Sequence, residues 1–269
     1  MGDSGVTRGN GATRGDRPAS RRKARHTMEI KELGIRVTAT PREPLNERLV
    51  DERDELACEA LDERFRQQRR ELGVAQASRL WFEPVFDTWR AWIEDPRFDE
   101  LDCEAQALCE LAVTVTDSLA MRDALIMMLI MGTDHGSGEE IMEFAVHPHT
   151  RASGDAMGRM LTEAFDDPQA RPDCVRVERG IAALEQCAQV VPDQYCAQPL
   201  AMAAYACWWI GDARAMPMAM QAVGMDDDAT LAGIVIAAML RDIHPAWLCM
   251  PKAPKEACTA GRRCDGARE

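Results

Sequence analysis

The chain is short of aromatic residues, of lysine and of long apolar runs. Of its 269 residues only 5% are aromatic, two of them tyrosine, and lysine supplies four of the 32 basic groups. A core poor in rings but holding 16 methionines and abundant Ala and Leu suits close-packed helices better than sheets. The longest apolar runs reach about half of the roughly 20 residues a membrane-spanning helix needs, which excludes such a span. Residues 1–26 are polar, so no secretory signal is read there. The ten cysteines lie at 58, 103, 109, 174, 187, 196, 207, 249, 258 and 264, without a single Cys-x-x-Cys pair. Zinc ribbons need such close pairs, so no metal is expected. These features predict a cytoplasmic protein with reduced thiols, no cofactor and no membrane contact.

Charge is present in plenty and is unevenly spread. The net charge is −13. Residues 1–27 hold seven basic and two acidic groups, while residues 28–248 hold 20 basic and 40 acidic ones. An acidic body repels nucleic acid and anionic membranes, so any nucleic-acid contact falls to the arm, at Arg17, Arg21, Arg22, Lys23 and Arg25. The arm is rich in Gly, Arg, Ser and Thr and lacks apolar periodicity, which predicts disorder over 1–27. Residues 28–248 read as one helical domain and 249–269 as a disordered tail.

Two runs fix the class. Pro199–Ile210 and Leu231–Leu240 carry no charge on any face, so both must be buried at the centre of an all-α core. Loose alternation at Ile30, Ile35 and Val37 allows at most one short strand near 30–37. A charge-dense stretch over 45–72 reads as one long solvated helix or two shorter ones, ended by Gly73, with Pro84 opening the next. Helical stretches at 102–116, 119–131, 139–146, 156–164 and 174–190 bring the expected count to about nine, a helical bundle or short solenoid. The end of the domain has the grammar of a tetratricopeptide hairpin: a Trp-bearing helix, Gly211-Asp212, an Ala-rich return helix containing Pro217, an acidic turn and a third helix.

The segment PLAMAAYACWWIGDARAMPMAMQAVGMDDDATLAGIVIAAML, with Arg122-Asp123 in VTVTDSLAMRDALIMMLI, resembles an uncharacterised family of actinobacteria and their phages, the domain of unknown function 4192. The resemblance covers roughly 100–248. It departs in reading Gly211-Asp212-Ala213 without a second glycine, and in lacking most of that family's α/β N-terminal region. It implies a helical fold and a source, and no activity.

No constellation of residues specifies catalysis. The polar loop with Asp134 and His135, followed by Glu139, offers a base and carboxylates beside flexible glycines. It has neither the Lys-Ser/Thr of a phosphate loop nor the Gly-x-Ser-x-Gly of a nucleophile elbow, and a solvent loop is the expected reading. Glu143 and His147 share a helix face at i, i+4 as metal ligands do, but Pro148 breaks the spacing before His149. Arg122-Asp123 reads as a cap or a buried ion pair. Trp81, Trp89, Trp92 and the pair Trp208-Trp209 read as core, with Tyr205, Trp208 and Trp209 as the candidate protein-binding residues. Adjacent helix positions differ by about 100°, so the two tryptophans are expected to point into different contacts, one of them half-exposed. The reading is a non-enzymatic scaffold for an unknown protein or peptide, with nucleic-acid association through the arm as the alternative.

Overall fold

The charge-free run at 199–210 lies in the middle of the molecule, as its composition requires. In the computed structural model, which describes residues 26–30, 35–39, 52–95, 97, 103–131 and 138–249, every side chain from Tyr195 to Trp209 is buried. The architecture is an all-α bundle. Among the described residues a hairpin of β1 (His26–Ile30) and β2 (Ile35–Ala39) precedes ten helices. These are α1 (Glu52–Leu72), α2 (Val74–Glu94), α3 (Ala105–Asp117), α4 (Leu119–Met131), α5 (Gly138–Val146), α6 (Arg151–Asp166), α7 (Cys174–Val190), α8 (Asp193–Trp209), α9 (Ala215–Met225) and α10 (Thr230–Leu240). A 3-10 turn follows at Ala246–Cys249.

Two helices are apolar on nearly all sides and the rest wrap them. α8 is packed by α3, α4, α7, α9 and α10. α4, buried continuously from Ala124 to Met131, is packed by α2, α3, α5, α7 and α8. The amphipathic helices α2, α3 and α6 turn one stripe inward and leave the other to solvent. Where α7 crosses α4 the fit is tight: a Cβ on Gly180 would press on the Leu129 side-chain end, which would have to shift.

The expected boundaries hold for α4 and α7 and fail at three places, each for a physical reason. Pro84 does not open a helix; it lies inside α2, which starts directly after Gly73 in the left-handed region (φ 80°). Pro199 likewise lies inside α8, whose first turn begins six residues earlier at Asp193. A proline lacks one N–H and clashes with the preceding turn; both helices continue across theirs, carried by burial on either side. α6 begins at Arg151 because Thr150 caps it, its Oγ1 accepting from Ser153 N at 3.2 Å. Pro217 sits in the first turn of α9, where a proline is tolerated.

The single strand expected near 30–37 is replaced by a hairpin. β1 and β2 pair antiparallel with Ile30 opposite Ile35 and His26 opposite Ala39. One loose alternation thus spans both arms of a hairpin. β1 also takes in His26 and Thr27, the last two residues of the stretch assigned to the arm. The proposed tail begins in the described part: Cys249 ends the 3-10 turn.

Candidate functional site

The aromatic residues singled out as a binding face are interior. Tyr205, Trp208 and Trp209 are 9%, 5% and 0% exposed. The half-exposed tryptophan anchor is therefore absent, because α6 supplies a cover. Phe165 lies 6.1 Å from the Trp208 ring and 6.0 Å from the Trp209 ring. The two adjacent tryptophans do share a contact, against expectation: they meet edge to face at 5.9 Å, and one phenylalanine spans the 100° between them. Trp208 Nε1 donates to the Ile243 carbonyl at 3.0 Å, which ties the C-terminal turn to α8. Trp81, Trp89 and Trp92 are core as expected, with Trp81 stacked on Phe65 at 4.7 Å.

Other candidates separate. Arg17, Arg21, Arg22, Lys23 and Arg25 lie outside the described residues, as do Asp134 and His135. Glu139 is exposed in the first turn of α5 and pairs with Arg79 at 3.0 Å. Arg122 forms an ion pair with only its own side buried: its guanidinium reaches the half-exposed Asp123 at 2.7 Å and donates to Gln198 Oε1 at 2.9 Å. Cys58, Cys109, Cys187, Cys196 and Cys207 are buried, and burial pushes the Cys187 thiol well up, with Cys196, Cys109 and Cys103 adding to it. Such a thiol stays protonated and unreactive. Among the described residues no group of three or more His, Cys, Asp or Glu side chains has the arrangement to hold a metal ion.

The structure instead brings together residues far apart in sequence. A cleft of about 660 Å³ opens where the start of α2, the α3–α4 junction and the end of α5 converge. Its walls include Ala75, Leu119 and Phe144; its titratable groups are Arg69, Asp117, Asp123, His147 and His149. A second hollow of about 260 Å³ shares Ala75, Val146 and His147 with it, so the two form one groove running past Leu80 and Glu83. Val74, Leu80 and Leu119 stand on it 63%, 54% and 51% exposed. The helical pair Glu143–His147 forms as read, with His147 Nδ1 2.9 Å from Glu143 Oε1 but poorly aligned for a hydrogen bond.

Beneath the groove two carboxyls meet. Asp117, the last residue of α3, faces Asp62 of α1. Asp62 is 9% exposed; its Oδ2 takes Arg66 at 2.6 Å and the Tyr195 hydroxyl at 3.4 Å. Its buried Oδ1 meets no donor among the described residues. Burial, the hydrogen bond to Asp62 and the Asp62 charge push the Asp117 carboxyl up to about 6, against the pull of Arg66 and Arg69. A protonated Asp117 donates this hydrogen bond to the Asp62 carboxylate. Burial also raises Asp123, with Arg122 opposing, and pushes Tyr195 up to about 12, helped by the Asp62 charge.

A pH-dependent result follows. In the unfolded chain Asp117 titrates near 4 and in the folded one near 6. The folded state holds the extra proton between these values, so this pair loses stability as pH rises from about 4 to 6 and stays at that lower level above. Asp117→Asn, neutral and able to donate to Asp62, is expected to raise the melting temperature at pH 7.5 by a few degrees. At pH 4 it is expected to change little. Paired melting curves at the two pH values check this; an equal shift at both contradicts it.

The arm at 17–25 and the polar loop at 134–135 lie outside the described residues, and the sequence reading missed Asp117 and took Asp62 only as part of a charge-dense helix. No family model, curated protein or solved structure matches the chain.

Proposed function

We propose that the chain is a non-enzymatic helical interaction module that seats a segment of a partner protein in the groove between α2 and α5. One observation carries this: the groove continues onto exposed Val74, Leu80 and Leu119. Contiguous apolar surface rimmed by charge is the mark of a docking site for an extended ligand, and exposed Val74, Leu80 and Leu119 carry it beyond the cleft itself. The polar groups are engaged in ways that suit a scaffold. Ser118 accepts from Met121 N at 3.4 Å as a helix cap, and Arg122 is locked by Asp123 and Gln198. The proposal includes kinship of roughly 100–248 with the domain of unknown function 4192, and a cytoplasmic setting. Among the described residues no helix is long and apolar enough to cross a membrane.

Site-directed photo-crosslinking tests it. A benzophenone side chain at position 119 or 80 is expected to trap a partner from host-cell extract, and the same group at exposed position 234 on α10 is not. Trapping at 234 alone, or at all three alike, contradicts the groove. The nucleic-acid alternative rests on the arm, and is favoured instead by a salt-sensitive shift of labelled DNA that vanishes on deleting residues 1–27.

A further inference from the structure

The groove is walled by apolar residues and floored by carboxylates whose neighbours are already committed. Arg66 is held by Asp62 at 2.6 Å, Arg122 by Asp123 at 2.7 Å and Arg79 by Glu139 at 3.0 Å, while the Arg69 guanidinium lies over the Phe65 ring at 4.4 Å. Among the described residues no basic side chain reaches Asp117 at ion-pair distance. Behind it stands the buried Asp62, which takes Arg66 and Tyr195 on Oδ2 and whose Oδ1 meets no donor among the described residues. Arg66 answers the Asp62 carboxylate, and Asp117 beside it is left to take a proton when the groove is empty or a cation from a ligand. The surrounding body is acidic, 40 acidic against 20 basic groups over residues 28–248, which draws in a basic partner and repels an acidic one.

Resting on the groove as the partner's seat, we propose that it takes a basic peptide segment, an arginine or lysine side chain reaching Asp117 and an adjacent apolar side chain lying against Ala75 and Phe144. As the cation enters, the Asp117 proton leaves to solvent and the carboxylate accepts hydrogen bonds from the guanidinium or ammonium. Binding therefore strengthens as pH rises through about 6. The charged and titratable groups facing Asp117 are Asp62, Arg66 and Arg69 from α1 and, through Asp62, Tyr195 from α8; Asp123, His147 and His149 share its groove. Whatever pH dependence survives in Asp117→Asn belongs to those others.

The test uses a random peptide library displayed on phage, selected against the full chain at pH 7.5. Enriched peptides are synthesised and titrated against the parent, Asp117→Asn and Ala75→Trp, which fills the point common to both hollows. The expected peptides carry Arg or Lys beside an apolar residue. They lose about tenfold or more in affinity on Asp117→Asn, the effect of removing one charged hydrogen-bond partner, and bind Ala75→Trp weakly. Parent affinity falls between pH 7.5 and 5, and that of Asp117→Asn falls less. Peptides weakened by Ala75→Trp but indifferent to Asp117→Asn overturn the basic ligand and leave the groove standing. Peptides indifferent to both, or no enrichment, overturn both readings. If Asp117→Asn melts early, the pH dependence of the parent alone decides: affinity flat from pH 5 to 7.5 overturns the proposal.

Discussion

Ala204→Asp is expected to melt far below the parent. Ala204 is 0% exposed in α8, a helix whose neighbours α3, α4, α7, α9 and α10 leave it no face on water. A carboxylate there must either stay charged in an apolar site or take up a proton and still bury an unpaired hydroxyl and carbonyl. Both routes cost several kcal/mol, and the added volume strains neighbours already in contact. The total is expected to exceed about 4 kcal/mol, a large part of the 5–15 kcal/mol typical of a whole domain. Ile234→Asp is the control. Ile234 is 56% exposed on α10, so the same charge there is expected to shift stability by about 0.5 kcal/mol or less. Circular dichroism melts of the two variants read the contrast; a parent-like melt for Ala204→Asp contradicts a buried α8.

Trp209→Ala is expected to lower stability by about 3–5 kcal/mol, the range for truncating a large buried ring. Trp209 is 0% exposed, stacked on Tyr205 at 5.7 Å and edge-on to Phe165 at 6.0 Å. Its Nε1 has no hydrogen-bond acceptor among the described residues. The loss is therefore packing and cavity, with no polar bond to confuse it. At about 2–4 °C per kcal/mol for a body of this size, the melting temperature falls by roughly 10 °C. Peptide binding at a temperature where the variant is folded is expected to be unchanged, since Trp209 does not line the groove. A variant that melts like the parent contradicts the aromatic core at the α6–α8 contact.

The fold was legible where burial alone decides the pattern. Leu119–Met131 and Cys174–Val190 read correctly because the first is apolar on almost every side and the second keeps a helical stripe after the Asp173 cap, whose Oδ1 accepts from Val175 N at 2.9 Å. Prolines misled the reading twice. A proline in an apolar run looks like a first-turn residue, and nothing local tells that from an interior proline tolerated through packing, as at Pro84 and Pro199. The site was far less legible. Glu143 and His147 are neighbours by helix geometry and were found. Asp62 and Asp117 are 55 positions apart and meet only because α1 packs on α3. One signal was available: Asp117 is a carboxylate in the last turn of a helix, against the dipole, where an acid needs a reason to be. Tyr205, Trp208 and Trp209 show the opposite failure. Their charge-free surroundings spoke for burial, but the ring that covers both tryptophans, Phe165, comes from α6, a helix whose first turn the sequence did not reveal.

The most direct test of the groove is amide hydrogen exchange on the full chain, with and without a saturating selected peptide. The first amides of α2 and α4, at Val74, Ala75 and Gln76 and at Leu119 and Ala120, precede the first intrahelical hydrogen bonds and are expected to exchange fast in the free protein. The account predicts slowing at these amides and across Phe144–Thr150 when peptide binds, with α9 and α10 unchanged. Slowing confined to α9 and α10, or peptide bound with no slowing along the groove, would contradict it.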